Sequence, residues 1–292
     1  MELLELLRTS PGWLIGVCVL LGLMVGSFLN VVAHRLPLMM QREWESQCRE
    51  LLAAPAAGDT ATESFNLVTP ASRCPHCGRR IRAIENIPVI SWLFLRGRCR
   101  ECRTPISVKY PLVEAFTGLT AGLLAWHFGF GWPLAAALVF TWTLIALSVI
   151  DIEHQLLPDS LTLALLWLGL LLSLGRVFVS PEQAIIGAAA GYLALWAVYQ
   201  LFRLLTGKEG MGFGDFKLLA ACGAWMGWKL LPLIILLSSL VGAVVGVAMI
   251  LILGRDRQLP IPFGPYIAAA GWIALLWGDD LIQGYLRFAG LG

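Results

Sequence analysis

The sequence predicts an all-α polytopic membrane protein of about eight transmembrane helices, with one small zinc-ribbon-like loop domain on the cytoplasmic side. Three observations predict it. Of 292 residues, 58% are hydrophobic and only 14% charged, whereas an ordinary soluble domain carries roughly a quarter charged residues, and the mean hydropathy is +0.76. Apolar stretches near the roughly twenty residues needed to cross a bilayer as a helix recur along the chain. The basic residues are concentrated in one polar segment, 34–110, which also holds two C-x-x-C pairs. A net charge of +2 is too small to point to nucleic acid, so the expected surroundings are the lipid bilayer and protein partners.

With breaks at Pro, Gly and charged residues, the apolar stretches run over 11–33, 111–128, 132–150, 159–179, 182–202, 216–228, 230–253 and 264–286. The sixth is short. Residues 1–33 have the length of a signal peptide, but the start "MELLELLRTS" is acidic and no small-x-small cleavage site precedes "NVVAHRLP". They are therefore read as a retained first transmembrane helix. Residues 34–110 form the cytoplasmic domain with the four cysteines, and residues 111–292 the membrane domain, with about seven helices. Within the polar segment, 41–70 is rich in Ala, Glu, Thr and Ser and reads as mobile; Cys48 lies in it.

Orientation follows from Lys and Arg. Twelve of the 21 basic residues lie in 34–110, and the positive-inside rule assigns that segment to the cytoplasm. Eight spans then place the joints near 151–158, 203–217 and 254–262 on the same side. These add Arg203, Lys208, Lys217, Arg255 and Arg257, so that only Arg8, Arg176, Lys229 and Arg287 lie outside. The expected location is thus a membrane, with the large loop and the acid-bearing joints on its cytoplasmic side.

Two of those cytoplasmic joints carry acids: "VIDIEHQLLPDSL" (149–161) and "GMGFGDFKLL" (210–219). An even number of crossings separates them, so Asp151 and Asp215 return to one face and can meet. A carboxylate near hydrocarbon is a functional hypothesis by default, and two that approach each other share a proton. One then acts as general base on a water and the other as acid, which is aspartic-protease chemistry. Gly212 and Gly214 would allow positive φ and close approach of an extended substrate. Against this stands the reading that each aspartate only caps a helix. Asp159, after Pro158, reads as a cap or first-turn acid, and Glu153 and His154 as solvated loop residues. Gly187, Gly191, Gly242 and Gly246 read as small-xxx-small packing faces.

Cys74, Cys77, Cys99 and Cys102 form a C-x2-C-x21-C-x2-C pattern, close to four-thiolate zinc spacing. Disulfides are the alternative, disfavoured in the cytosol. Four thiolates leave no open coordination position, so the role expected of Zn2+ is structural. His76 sits inside a knuckle and is not expected to ligate; Cys18 and Cys222 fall in apolar spans as packing residues.

With these motifs in view, the chain resembles the prepilin peptidases, bifunctional leader peptidases and N-methyltransferases of type IV pilus and type II secretion systems. The resemblance rests on "GSFLNVVAHRLP" (26–37), the tetracysteine loop, "ENIPVISWLFLRGRC" (85–99), "KYPLVE" (109–114), "IDIEHQLLPD" (150–159) and "GMGFGDFKLLAACGAWMGW" (210–228), in that order. It implies that Asp151 and Asp215 are the catalytic aspartates. The substrates it implies are prepilins and pseudopilins, cut at the cytoplasmic face after a short basic leader, with the new N-terminal amine methylated from S-adenosylmethionine. It also links Gly97 to methylation; no Rossmann-type glycine loop is visible. Glu153 stands where many members of the family have a second Asp. A proton-coupled transporter would also bury acids, but it gives no reason for a metal ribbon or for two acids on one face. A membrane scaffold would need neither aspartate.

Overall fold

Helices dominate the computed structural model, which describes residues 2–52, 65–208, 210–253 and 261–290. Among the described residues there is no strand, only isolated bridges between Arg73 and Arg80 and between Arg98 and Pro105. The helices are α1 (Glu2–Thr9), α2 (Pro11–Leu51), α3 (Ile90–Phe94), α4 (Lys109–Phe128), α5 (Trp132–His154), α6 (Asp159–Leu174), α7 (Pro181–Thr206), α8 (Phe213–Met226), α9 (Leu231–Leu253) and α10 (Gly264–Phe288). Each apolar stretch read from the sequence overlaps a helix, although α6 ends at Leu174 rather than 179 and α8 at Met226 rather than 228. By length and composition, four are long and apolar enough to cross a membrane: α2, α5, α7 and the stretch Trp228–Ile252. The chain divides into two compact units, 1–146 and 147–292.

In the first unit α2 packs along α4. Glycines let the two backbones approach: a Cβ at Gly22 would lie 2.6 Å from Thr117 O, and one at Gly26 2.8 Å from Glu114 Cα. Gly118 and Gly122 of α4 meet Leu23 and Val19 in return. This is the close packing that small residues permit where no hydrophobic force draws helices together, and neither glycine pair was singled out by the sequence pattern. α2 does not stop at 33 as expected but runs on through Pro37 to Leu51. The extension is rich in Met, Gln, Arg and Glu, which favour helix, and Gln41 Nε2 donates to Glu45 Oε1 at 3.0 Å one turn on. Residues 41–51, including the exposed Cys48, are thus helical rather than loop; 53–64 lie outside the described residues. The buried Arg35 guanidinium donates to Asn66 O and Pro70 O at 2.9 and 2.7 Å, pinning the returning chain to α2.

In the second unit α8 is the buried centre, packed by α6, α7 and α10. From Asp215 to Met226 nearly every residue is buried. At 14 residues it is only about 21 Å long, well short of the bilayer core. Gly187 of α7 and Gly223 of α8 touch backbone to backbone, and a Cβ at Gly191 would lie 2.7 Å from Leu219 O. Gly242 and Gly246 behave differently: their neighbours are side chains of Tyr266 and Ile261, at 3.2 Å. The one polar atom of Trp225, Nε1, donates to Leu165 O at 2.8 Å, and the indole fills the space beside Gly169. Cys222 packs its Sγ against Gly271.

Candidate active site and metal centre

One end of the second unit gathers the C-terminus of α5 and the N-termini of α6, α8 and α10. α5 continues past the expected end at 150 to His154, so Asp151 is on its last turn, with Glu153 and His154 exposed on that turn rather than in a loop. Asp215 is on the first turn of α8, after an N-cap at Gly212. Both aspartates are buried, at 5% and 8% exposure, and both line one cavity of about 560 Å3. The other walls are largely apolar, built by Leu156, Leu157, Met211, Phe213, Ile261 and Phe263.

The two carboxylates are held differently. Asp151 Oδ2 accepts the backbone N–H of Gly264, the first residue of α10, at 3.0 Å. That amide has no partner within its own helix, so the carboxylate completes α10 from across the fold. Asp215 Oδ1 is buried without a hydrogen-bond partner, while the backbone N–H of Gly212, the N-cap of α8, acts on the same carboxylate. A buried acceptor left unpaired is costly, which a capping role does not explain. Two helix N-termini, of α8 and α10, direct their positive ends to this place.

The glycines act through space rather than through φ. Gly212 sits at φ −81°, and neither it nor Gly214 has positive φ, which belongs instead to Gly207 at 69°. The expectation of a positive-φ hinge at "GFGD" is thereby corrected. A Cβ at Gly212 would meet nothing within 4 Å, so the chain presents bare backbone to the cavity there. A Cβ at Gly214 would lie 2.7 Å from Leu157 Cβ, and one at Gly264 would lie 2.7 Å from Asp151 Oδ2 and 3.1 Å from Leu157 Cδ2. Leu157, on the connector from α5 to α6, is thus wedged between α8 and α10. Beside it, Lys217 Nζ donates to both oxygens of Asp159 at 2.6 and 2.7 Å. Asp159 is a first-turn acid of α6, whose N-cap is Pro158, as the sequence indicated. The lysine partner, Gly264 and the Leu157 wedge were not foreseen; the Gly-Pro step of "PFGP" at a helix start was the available signal for Gly264.

In the first unit, Cys74, Cys77, Cys99 and Cys102 converge, their sulfurs all within 4.8 Å of one another. All are free thiols. The two knuckles repeat one hydrogen-bond pattern: Gly78 N–H donates to Cys74 O and Arg103 N–H to Cys99 O, while Cys74 N–H donates to Arg79 O and Cys99 N–H to Thr104 O. The fourth residue after each leading cysteine takes positive φ, 70° at Gly78 and 59° at Arg103. A tetrahedral ion with metal–sulfur bonds of about 2.3 Å requires sulfurs about 3.8 Å apart, and Cys74 and Cys102 stand at 3.8 Å. The four residues fit a metal ion. Thr104, 3.2 Å from Cys102 Sγ, lowers that thiol's pKa through its hydroxyl and then its backbone N–H. His76 stands outside the cluster.

Glu85, in the short 3-10 turn Ala83–Asn86, ties the knuckles together. It accepts from Arg79 at 2.7 Å and Arg100 at 3.5 Å, while Arg79 also reaches Glu101 at 3.2 Å. The Arg82 backbone N–H and then the Arg79 guanidinium hold its carboxyl below the usual carboxylate range. Gly97 has φ 66°, and the Trp92 indole fills its open side, 2.8 Å from where a Cβ would stand. Glu114, buried in α4, accepts the Val89 N–H at 2.7 Å.

Residues 20–128 match the bacterial Peptidase A24 N-terminal domain, and residues 138–247 match the type IV leader peptidase family. The chain belongs to the type IV leader peptidase family. Among curated relatives, a protein of Stutzerimonas stutzeri is 59% identical over 98% of this chain and 99% of its own length. One of Pseudomonas aeruginosa is 56% identical over 99% of both, and one of Aeromonas hydrophila 55% identical over 97% of this chain and 98% of its own. Each of the three is named prepilin leader peptidase/N-methyltransferase. No solved structure matches. In this leader peptidase family member the two family segments fall one on each side of the residue 146 boundary, apart from 138–146.

Proposed function

We propose that this chain is a membrane aspartic endopeptidase that removes the leader from type IV prepilins and type II secretion pseudopilins, and then methylates the new N-terminal amine. The single observation that carries the peptidase reading is the meeting of Asp151 and Asp215 in one apolar cavity, with Asp215 Oδ1 left unpartnered. Two carboxylates so placed hold one proton between them. The ionised one takes a proton from water as the water oxygen bonds to the scissile carbonyl carbon, and the protonated one gives its proton to the carbonyl oxygen. Collapse of the tetrahedral intermediate breaks the C–N bond and returns a proton to the leaving amine. Gly212, with bare backbone at the cavity, admits an extended peptide there, which a helical substrate must first unwind to become.

Eight helices crossing the inner membrane, with 34–110 and the aspartates cytoplasmic, are supported by the bias of basic residues. Cys74, Cys77, Cys99 and Cys102 hold one zinc ion, closed by four thiolates and therefore structural. S-adenosylmethionine supplies the methyl group when bound. Gly97, at φ 66° with Trp92 against its open side, is the residue that this reading links to S-adenosylmethionine and methylation.

The test weighs the products of purified enzyme and a prepilin, with and without S-adenosylmethionine. The wild type should release leader, and add methyl mass only with the cofactor. Asp151→Asn and Asp215→Asn should each lower cleavage by orders of magnitude while the protein stays inserted and metal-loaded, because an amide cannot shuttle the proton. Near-normal cleavage by either would sink the dyad.

A further inference from the structure

Among the described residues, the four-cysteine module leaves one apolar face without a partner, and its surroundings say what covers it. α3 is anchored inward by Trp92, whose Nε1 donates to Ile106 O at 3.2 Å and whose ring lies on Gly97. Ile90, Leu93 and Phe94 stand at i, i+3 and i+4 and form one face of this helix. They are 51%, 61% and 85% exposed. The charge around them is one-sided. Residues 71–110 contain nine Lys and Arg against two Glu, and both glutamates are engaged by Arg79 or Arg100. Arg96 and Arg98, on the turn that follows α3, are exposed and enter no ion pair among the described residues.

The depth of α3 relative to α4 is also set. Val89, the residue before α3, has positive φ and donates its N–H to Glu114, on the second turn of α4. That turn lies just above Lys109 and Tyr110, a Lys and Tyr pair of the kind found at headgroup level, with the Lys109 ammonium 5.8 Å from the Tyr110 ring. The apolar face of α3 is therefore held at the level where α4 would leave the hydrocarbon. Apolar side chains flanked by unpaired guanidiniums at that level form an interfacial anchor: the apolar groups enter the headgroup boundary and the cations meet anionic lipid.

We propose that the Ile90, Leu93 and Phe94 face of α3 docks into the surface of the surrounding bilayer, with Arg96 and Arg98 on anionic phospholipid headgroups. The metal module is thereby a peripheral membrane element, laid flat beside the helices rather than standing in water. This inference depends on α2 and α4 lying in the bilayer and not on the catalytic reading, and its test does not measure cleavage.

The full chain is placed in nanodiscs of phosphatidylcholine alone or with phosphatidylglycerol, carrying a benzoylphenylalanine photo-crosslinker at position 94. Illumination should attach phospholipid to the peptide that contains position 94. In the chain without crosslinker, tryptic cleavage after Arg96 and Arg98 should be roughly tenfold slower in anionic discs than in neutral ones. High salt should weaken that protection, and a Leu93→Asp, Phe94→Asp variant should lose it. Crosslinks to a second copy of the chain or to added prepilin in place of lipid would overturn the proposal, as would no crosslink at all, or equal cleavage in both kinds of disc. The crosslinking arm keeps the sequence otherwise unchanged, so it stands even if the double variant folds poorly.

Discussion

Gly264 is the residue on which the position of Asp151 depends. Its N–H holds Asp151 Oδ2, and the absence of a side chain leaves the room that the carboxylate and Leu157 occupy. Gly264→Ala keeps the amide but puts a methyl 2.7 Å from that oxygen, so the carboxylate must move. A displacement of about 1 Å in a catalytic group costs roughly 100-fold in rate. Gly264→Ala should therefore lower the turnover number for prepilin by about that factor while leaving metal content unchanged. Gly212→Ala is the contrasting case at the same cavity. Its methyl meets nothing within 4 Å, so the enzyme should stay assembled and lose affinity for substrate rather than turnover. Equal defects in turnover and affinity for both variants would show that neither glycine has the role argued for it.

Between elements, the Lys217 and Asp159 pair joins α8 to α6 within one helical turn of Asp215, across the connector that follows Asp151. The pair is partly exposed, at 26% and 56%, and such pairs contribute about 0.2–1 kcal/mol. Asp159→Asn or Lys217→Met should thus reduce cleavage only roughly twofold to fivefold, far less than loss of either cavity aspartate. The exchanged pair Asp159→Lys with Lys217→Asp should recover most of it. An exchange no better than the single variants would mean that the two residues act separately. In the metal module, the matched knuckles and the Glu85 bridge depend on four thiolates meeting at one point. Metal analysis of the wild type should find about one zinc per chain. The double variant Cys74→Ser, Cys99→Ser should lose the metal and open the segment around Arg79 and Arg100 to protease. Full metal content in that variant would refute the site.

At the scale of the whole molecule, the membrane decides what each sequence feature means. Four helices satisfy length and composition alone, whereas α8, the most buried, does not have the length. A helix whose sides are covered by other helices need not match the bilayer, because its flanks meet protein instead of lipid. Orientation has a direct probe in Cys48, a free and exposed thiol near the end of α2. Cys18 and Cys222 are buried, and Cys77, the other exposed thiol among the described residues, belongs to the four-cysteine cluster on the same segment. A membrane-impermeant maleimide should label Cys48 in inverted inner-membrane vesicles and not in right-side-out ones. Labelling from the outer side would reverse the topology and with it the cytoplasmic placement of the aspartates.

By itself the sequence determined that the chain is helical and membrane-bound, where its apolar stretches lie, and that four cysteines stand in knuckle spacing. These follow from composition and local period, which are properties of the chain before it folds. It also singled out Asp151 and Asp215, because acids at the ends of apolar runs are rare enough to stand out. Only the tertiary structure decided what each of those residues touches. No local pattern joins Asp151 to Gly264, 113 positions away, or Lys217 to Asp159, 58 positions away. The same is true of the "GFGD" glycines, whose freedom in φ is visible in sequence although the structure uses only their missing side chains. The space beside a glycine is set by whichever helix packs there, and that is decided by the whole fold.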